Sequence, residues 1–467
     1  MNLLLALCAA LAVAPVAAAN EPPPAGSAPG PTGAPWAPTD PDWQAFRAAA
    51  QSARGRIWDR LAELCDVAGH RLAGSPGQVR AERLTAEWLR ADGLTVSLDP
   101  LKVPVWVRGP ASLVLVAPRP EPLALLALGG SVATPAGGVE APVVVIREFS
   151  ELGPQVKGKI VLFDHPMRDG LPTIDHYGEA VAFRASGASK AAVHGALAVL
   201  VRSVTTRSLY TPHTGGVFYD EKSPRIPAAA IPTEEADRLA RMAARGEVRV
   251  RLDLQAETRP DADAVNVIGE LRGATRPDEI VLLGGHLDSW DVGQGAHDDG
   301  AGVVESVEAL RLIAARGRPA RTVRVVLFAN EENGLRGGKA YFAAHGKERH
   351  VAAIESDLGG GAPQGWGFTA DVAQRAWLTP RLAGSGMYLR DSGGGADISP
   401  LNDDGVLSIG LLPDDSHYFD VHHTHADTVD KVDPVALADA TAAMAALAWE
   451  LANAPAAPAK AAARPDR

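Results

Sequence analysis

The chain has 467 residues, 46% of them apolar and 5% aromatic, with 56 acidic against 45 basic side chains and a formal net charge of −11. That is room for two or three domains at roughly 100–200 residues each, and the acidic balance argues against a nucleic-acid binder, which carries a basic field. Two cysteines, Cys8 and Cys65, exclude Cys-rich zinc modules, iron–sulfur clusters and a disulfide framework.

Residues 3–19 form an uncharged apolar run ending in small side chains. That is the pattern of a secretory signal (1–19) cleaved between Ala19 and Asn20, and Pro15 and the shortness of the run argue against a membrane span. The expectation is an exported protein, periplasmic or extracellular, without a stable membrane anchor and with Cys65 as its one cysteine. Residues 20–42 read as a Pro/Gly-rich linker too poor in apolar side chains to fold. In 43–109, IWDRLAELCDVAG (57–69) and GQVRAERLTAEWLRADG (77–93) space apolar residues three and four apart, as helices do, and LTVSLDPLKVPVWV (94–107) alternates like strands. From 110 to 256 short β-like runs (SLVLVAP, APVVVI, KGKIVLF, ALAVLVRS, RIPAAAIP) predict a β-rich unit interrupted by one helix, EAVAFRASGASKAAVHGA. From 257 to 453 apolar strands alternate with amphipathic helices: NVIGEL, EIVLLGG, VRVVLFA, VAAIESD and VLSIGLL, with GVVESVEALRLIAARG and KAYFAAHG among the helices. That alternation predicts an α/β fold with helices on both faces of a sheet. Residues 454–467 read as a disordered tail.

Ligands of open α/β sheets collect beyond the carboxyl ends of the strands, and here Asp, Glu and His residues cluster at four such places. GGHLDSWDVGQGAHDDGAG holds His286 and Asp288 two apart in extended chain, with Asp298 and Asp299 at the entry to the next helix. A ligating histidine gives its second ring N–H to an acceptor that fixes its tautomer, and the Asp288 carboxylate is placed for that. Glu331 and Glu332 end the next strand, so one can bind a metal while its neighbour faces a substrate water. Asp357 ends a third strand, and HHTHADTVD (422–430) packs imidazoles and carboxylates together. Each cluster taken singly fits a surface histidine, a helix cap or a turn equally well. Together they supply two imidazoles and four carboxylates and no thiolate, a donor set suited to two zinc ions, with manganese or cobalt as substitutes. No H-E-x-x-H helix, G-x-S-x-G elbow or Walker A loop competes.

These motifs, with NEENGLRGG, SDLGG, H-T-x-x-D-T and GGGADISPL (393–401), resemble the co-catalytic zinc metallopeptidases that include bacterial aminopeptidases and glutamate carboxypeptidases. The resemblance covers roughly residues 45–450. It implies a three-layer α/β/α catalytic domain with a mixed, mostly parallel sheet, formed by 43–109 and 257–453, and a protease-associated domain inserted at 110–256. It implies that Asp298 bridges two zinc ions, that His286 and Asp357 complete one site and Glu332 and His423 the other, and that Glu331 is the general base. His423 is chosen over His422 and His425 because it alone fits H-T-x-x-D-T. Asp288, Asp299 and Asp427 would hold the ligands from behind, and the Asp298–Asp299 peptide would be cis. Some relatives place a tyrosine before the last ligand to stabilise the oxyanion; this chain has His422 there, so His422 and Asp397 stand as candidates for the oxyanion or a substrate contact. The implied reaction is hydrolysis of dipeptides with free termini by a metal-bridged hydroxide in a homodimeric enzyme. An aminopeptidase acting on longer peptides and a non-catalytic receptor-like relative are the alternatives.

Overall fold

The computed structural model describes residues 36–170 and 173–463. The expected signal at 1–19 and most of the linker at 20–42 lie outside the described residues. In chain order the strands are β1 (Thr95–Val107), β2 (Ala111–Ala117), β3 (Glu121–Leu123), β4 (Leu126–Ala127), β5 (Val139–Ile146), β6 (Ile160–Phe163), β7 (Ala198–Arg202), β8 (Ala228–Ile231) and β9 (Arg249–Leu254). They continue with β10 (Glu257–Leu271), β11 (Arg276–His286), β12 (Arg321–Phe328), β13 (Arg349–Glu355), β14 (Pro363–Thr369), β15 (Tyr388–Arg390) and β16 (Leu407–Pro413).

One sheet runs β1-β10-β12-β11-β13-β16-β14-β15. Its middle four strands, β12-β11-β13-β16, pair in parallel, whereas β1/β10, β10/β12 and β14/β16 are antiparallel. β12 and β16 are buried along their whole length, as parallel strands covered on both faces must be. Successive side chains go to opposite faces. Val281 and Leu283 join the larger core with the helices Pro41–Ser52, Ala301–Arg316 and Pro434–Asn453, while Leu282 packs with Tyr341, Ile398 and Leu401 on the other side. Helix Pro434–Asn453 has a mean hydropathy of 1.4 and the length of a membrane span, yet 83% of its apolar window is buried: it is the central core helix of one layer.

The second sheet, β3-β2-β9-β5-β6-β7-β8-β4, draws its strands only from the segment between β1 and β10. Its two faces have separate cores. Ile160, Leu162 and Leu252 pack with Ala236 and Leu239 of helix Thr233–Ala243, which the sequence reading missed; Val161, Phe163 and Val199 pack with Phe183 and Ala188 of helix Thr173–Ala192. The insert is therefore an α/β unit of its own, with more helix than its strand-rich composition suggests.

Two expectations are corrected at the ends. The last residues of the linker are packed: Trp36 is buried edge-on to Trp43 and donates its Nε1–H to Ser385 O at 2.7 Å, and Asp40 caps a helix that starts at Pro41. The tail from Ala454 is also held. Arg321 Nη1 donates to Ala454 O and Arg276 Nη1 to Pro455 O, each at 2.6 Å, and Lys460 pairs with Asp404 at 2.6 Å. Main-chain carbonyls taken up by arginines hold this segment, so its apolar content was no guide.

Glu82, on helix Pro76–Ala91, is 8% exposed and accepts the Val265 N–H at 3.1 Å. Burial pushes its carboxyl from 4.5 up to about 7. Between those values the unfolded chain has lost a proton that the folded protein keeps, so stability falls as pH rises through the window. Glu82→Gln keeps the acceptor without the charge. Its stability relative to the parent should rise between about pH 5 and pH 8 by on the order of 1–3 kcal/mol in denaturant titrations; a pH-independent difference counts against the assignment.

Candidate metal centre

The parallel strands end at one edge of the sheet, and the expected ligands leave from it. His286 is the last residue of β11, Glu331 and Glu332 lie in the turn after β12, Asp357 follows β13, and His422 and His423 lie in the loop beyond β16. Asp298, in the loop between β11 and helix Ala301–Arg316, stands between them. Its Oδ1 is 3.1 Å from His286 Nε2, which is also 3.1 Å from Asp357 Oδ1. Its Oδ2 is 3.1 Å from His423 Nε2, which is 3.2 Å from Glu332 Oε2. One carboxylate thus places one oxygen in each of two nests, and the Asp298–Asp299 peptide is cis.

The donor chemistry fits two cations. His286 Nδ1 lies 3.0 Å from the Asp288 carbonyl and His423 Nδ1 lies 3.3 Å from the Thr214 carbonyl. Each bond engages Nδ1 and turns Nε2 toward carboxylate oxygens, so that Nε2 either carries a proton to them or shares a cation with them. Lone pairs crowded on lone pairs repel until positive charge comes between them. The same shortage of positive charge appears in the acids. Burial, then the charges of Asp357, Glu332 and Asp288, push Glu331 well above the usual carboxylate range, and burial followed by Asp298 does the same to Glu332. Asp298 goes the other way: against its burial, hydrogen bonds to His286 and His423 hold it well below that range.

The supporting residues divide the work. Asp427 accepts the N–H groups of Ala296 (3.1 Å) and His297 (2.8 Å) on one oxygen and that of Asp298 (3.2 Å) on the other, fixing the loop that carries the shared carboxylate. Asp299 accepts from His286 N and Gly302 N, both at 2.9 Å. A Cβ on Gly302 would lie 2.5 Å from Asp299 Oδ1 and 2.1 Å from Ser356 O, so only glycine fits there. Asp288 differs from expectation. Its carboxylate is 3.8 Å from His286 Nδ1 because Oδ1 is turned to accept the Glu331 N–H at 2.9 Å; the main-chain carbonyl fixes the histidine instead.

His422 stacks on His423 with ring centroids 3.5 Å apart and brings Nε2 to 3.5 Å from Asp298 Oδ2, without a contact to Glu332. His425 is exposed. Asp397 is 2% exposed, close in charge terms to Glu355 and Glu331, and neither of its carboxylate oxygens has a hydrogen-bond partner.

Several site residues escaped the sequence reading. Trp290 donates its main-chain N–H to Glu332 Oε1 and its indole N–H to His423 Nε2, both at 3.1 Å. Arg71, fully buried, donates to the carbonyls of Leu287 (2.8 Å), Gln294 (2.6 Å) and Gly295 (2.8 Å) and braces the loop after β11. Thr214, in the insert, donates its N–H to His423 O at 2.9 Å, and His423 has a φ of 61° in the left-handed region, which that bond supports. Trp290 sits inside the GGHLDSWDVGQGAHDDGAG motif; Arg71 and Thr214 carry no local signal.

Asp427→Asn should leave the fold intact and weaken metal binding by about 10–100-fold in chelator competition, because an amide NH2 meets an N–H where a carboxylate oxygen accepted one. Unchanged metal affinity would show that the loop holds its shape without Asp427.

Comparison with known proteins gives the family. Residues 266–448 match Peptidase family M28. The chain is 41% identical over 413 residues to carboxypeptidase Q of Bos taurus and 39% identical over 413 residues to that of Homo sapiens, covering 86% of this chain and 86% of each relative. A peptidase M28 precursor from Shewanella amazonensis SB2B superposes with a TM-score of 0.84 at 38% identity, covering 91% of this chain and 98% of the other. BSAP, a zinc aminopeptidase from Bacillus subtilis, shares the fold with a TM-score of 0.64 at 20% identity over 86% of this chain and 96% of that one. The chain belongs to peptidase family M28 and is a metallo-exopeptidase, a hydrolase.

Proposed function

We propose that this exopeptidase holds two zinc ions and hydrolyses dipeptides with both termini free. The observation that carries the reading is the division of Asp298, one oxygen toward His286 and Asp357 and the other toward His423 and Glu332. On this reading His286 and Asp357 hold one ion, Glu332 and His423 the other, and Asp298 both, with manganese or cobalt as substitutes. When bound, the ions supply Lewis acidity to a water and to a peptide carbonyl.

The protein's own residues do the rest. Glu331, raised by burial and by neighbouring acids, is a strong base for a carboxylate; it takes the proton of the attacking water and passes it to the leaving amine nitrogen. Asp288, bonded to the Glu331 N–H, holds that residue at the end of its strand. Asp397 offers two unpartnered acceptors to the ammonium of the substrate, and His422 borders the reacting carbonyl. The similarity to carboxypeptidase Q supports the carboxypeptidase-like specificity. The same reading makes residues 1–19 an export signal, the segment 110–256 a protease-associated domain and the enzyme a homodimer.

Glu331→Gln should retain the parent's metal content and lose roughly 10²–10⁴ in kcat. Near-normal hydrolysis by that variant removes Glu331 from its role. Elemental analysis should give two zinc ions per chain, and chelation should abolish hydrolysis of dipeptides. One ion per chain or chelator-resistant activity overturns the paired site, and equal rates on pentapeptides and dipeptides replace the dipeptidase by an aminopeptidase.

A further inference from the structure

Of the residues proposed as ligands, all but one are fixed from within the catalytic sheet and its own loops. Asp427 holds Asp298, the Asp288 carbonyl and Asp299 hold His286, and Trp290 donates its main-chain N–H to Glu332 Oε1 at 3.1 Å. Asp357 follows Ser356, whose N–H goes to Gly284 O at 3.1 Å and whose hydroxyl goes to Glu305 at 2.6 Å. His423 is the exception. Its Nδ1 lies 3.3 Å from Thr214 O and 3.4 Å from Arg184 Nη1, and its carbonyl accepts the Thr214 N–H at 2.9 Å, all contacts with the insert. From the sheet side the Trp290 indole N–H reaches Nε2, the nitrogen that would face an ion.

The loop that carries His423 is gripped in the same way. Thr205 of the insert donates its hydroxyl to Phe419 O at 2.6 Å, Arg207 forks onto the Asp420 carboxylate at 2.8 and 2.7 Å, and Tyr177 stacks on Phe419 with ring centroids 4.8 Å apart. Asp415, at the start of the loop, accepts the Thr173 N–H at 2.9 Å and the Thr173 hydroxyl at 2.7 Å where helix Thr173–Ala192 begins. The gripping segment is itself stiff. Glu234 accepts the Ser208 hydroxyl and the Tyr210 N–H, and between those bonds Leu209 and Tyr210 are held at φ 47° and 65°. Non-glycine residues stay in that region where their surroundings over-determine them.

We propose that Thr205, Arg207 and Thr214 of the insert are positioning residues for one ion of the pair, the one assigned to Glu332 and His423, and not for the one assigned to His286 and Asp357. This goes beyond the paired-site reading and rests on it. A ligand free to wander has to be ordered at the moment of binding, and that ordering weakens affinity; the insert orders His423 beforehand. The first pair of ligands draws its order from the catalytic sheet, and Asp298 keeps its bonds to Asp427 whatever the insert does. Releasing the loop therefore lowers one affinity and leaves the other, so the two sites separate in strength.

The test is zinc binding in chelator competition. The parent should show two steps, and His423→Ala marks the step that belongs to Glu332 and His423. Thr205→Val combined with Arg207→Met should weaken the marked step by about 10–100-fold and move the other by less than about twofold. Arg168→Met, which breaks an exposed pair with Glu179 inside the insert, should move neither. Equal weakening of both steps overturns the proposal, since the insert then only supports the fold, and so does an unchanged pair of steps. Should the double variant fail to fold, hydrogen exchange on the unmodified protein decides. The Thr214 N–H, bonded to His423 O, should exchange more slowly once the marked step is filled and not when the other is; an equal response to both, or none, refutes the proposal. A parent with a single zinc step fails the paired-site reading instead.

Discussion

Asp298 has to put its two oxygens in two places at once, and the rest of the molecule is arranged around that demand. Its partners, His286 and His423, come from the ends of strands that are not neighbours, β11 and β16, with β13 between them. Parallel strands bring their carboxyl ends to one edge, so the sheet delivers the approximate position. The final fraction of an ångström comes from hydrogen bonds behind the site. Asp427 gathers three consecutive N–H groups, Asp299 ties His286 to the start of helix Ala301–Arg316, and Arg71 ties the loop after β11 to the first helical layer.

The electrostatics follow from the same crowding. Asp288, Asp299, Glu331, Glu332, Asp357 and Asp397 are all raised, with burial the leading cause, and Asp298 alone among these acids is lowered. An acid cluster of this kind keeps its protons or recruits cations. The two imidazole nitrogens pointed at it can serve either state, giving a proton to the acids or a lone pair to a cation.

What the sequence could tell depended on range. The central strands of both sheets stood out because buried β-structure writes apolar runs, whereas β3, β4, β9, β14 and β15, which are very short or carry polar or glycine residues, did not; the acidic and imidazole residues stood out because they end those runs. Helix Thr233–Ala243 was lost inside a segment whose strands dominate its composition. Arg71, Thr214 and Arg184 were invisible because each acts on a partner remote in sequence through a main-chain carbonyl or N–H, which has no letter of its own. The same blindness explains Asp288, whose carbonyl rather than its carboxylate meets the histidine, and the tail, whose main chain rather than its side chains is held.

Thr214 grips His423 through both main chain and ring, and a Cβ on Gly129 of the insert would lie 2.0 Å from the Trp290 indole that bonds the same histidine. The insert and the catalytic sheet therefore meet at His423, in the metal centre itself. By thermodynamic reciprocity, whatever free energy a filled centre gives to the seating of the insert, the seated insert returns to the centre. Loosening the seam and emptying the centre are then linked equilibria, and a metal ion bound at the centre contributes to the tertiary stability of the whole chain.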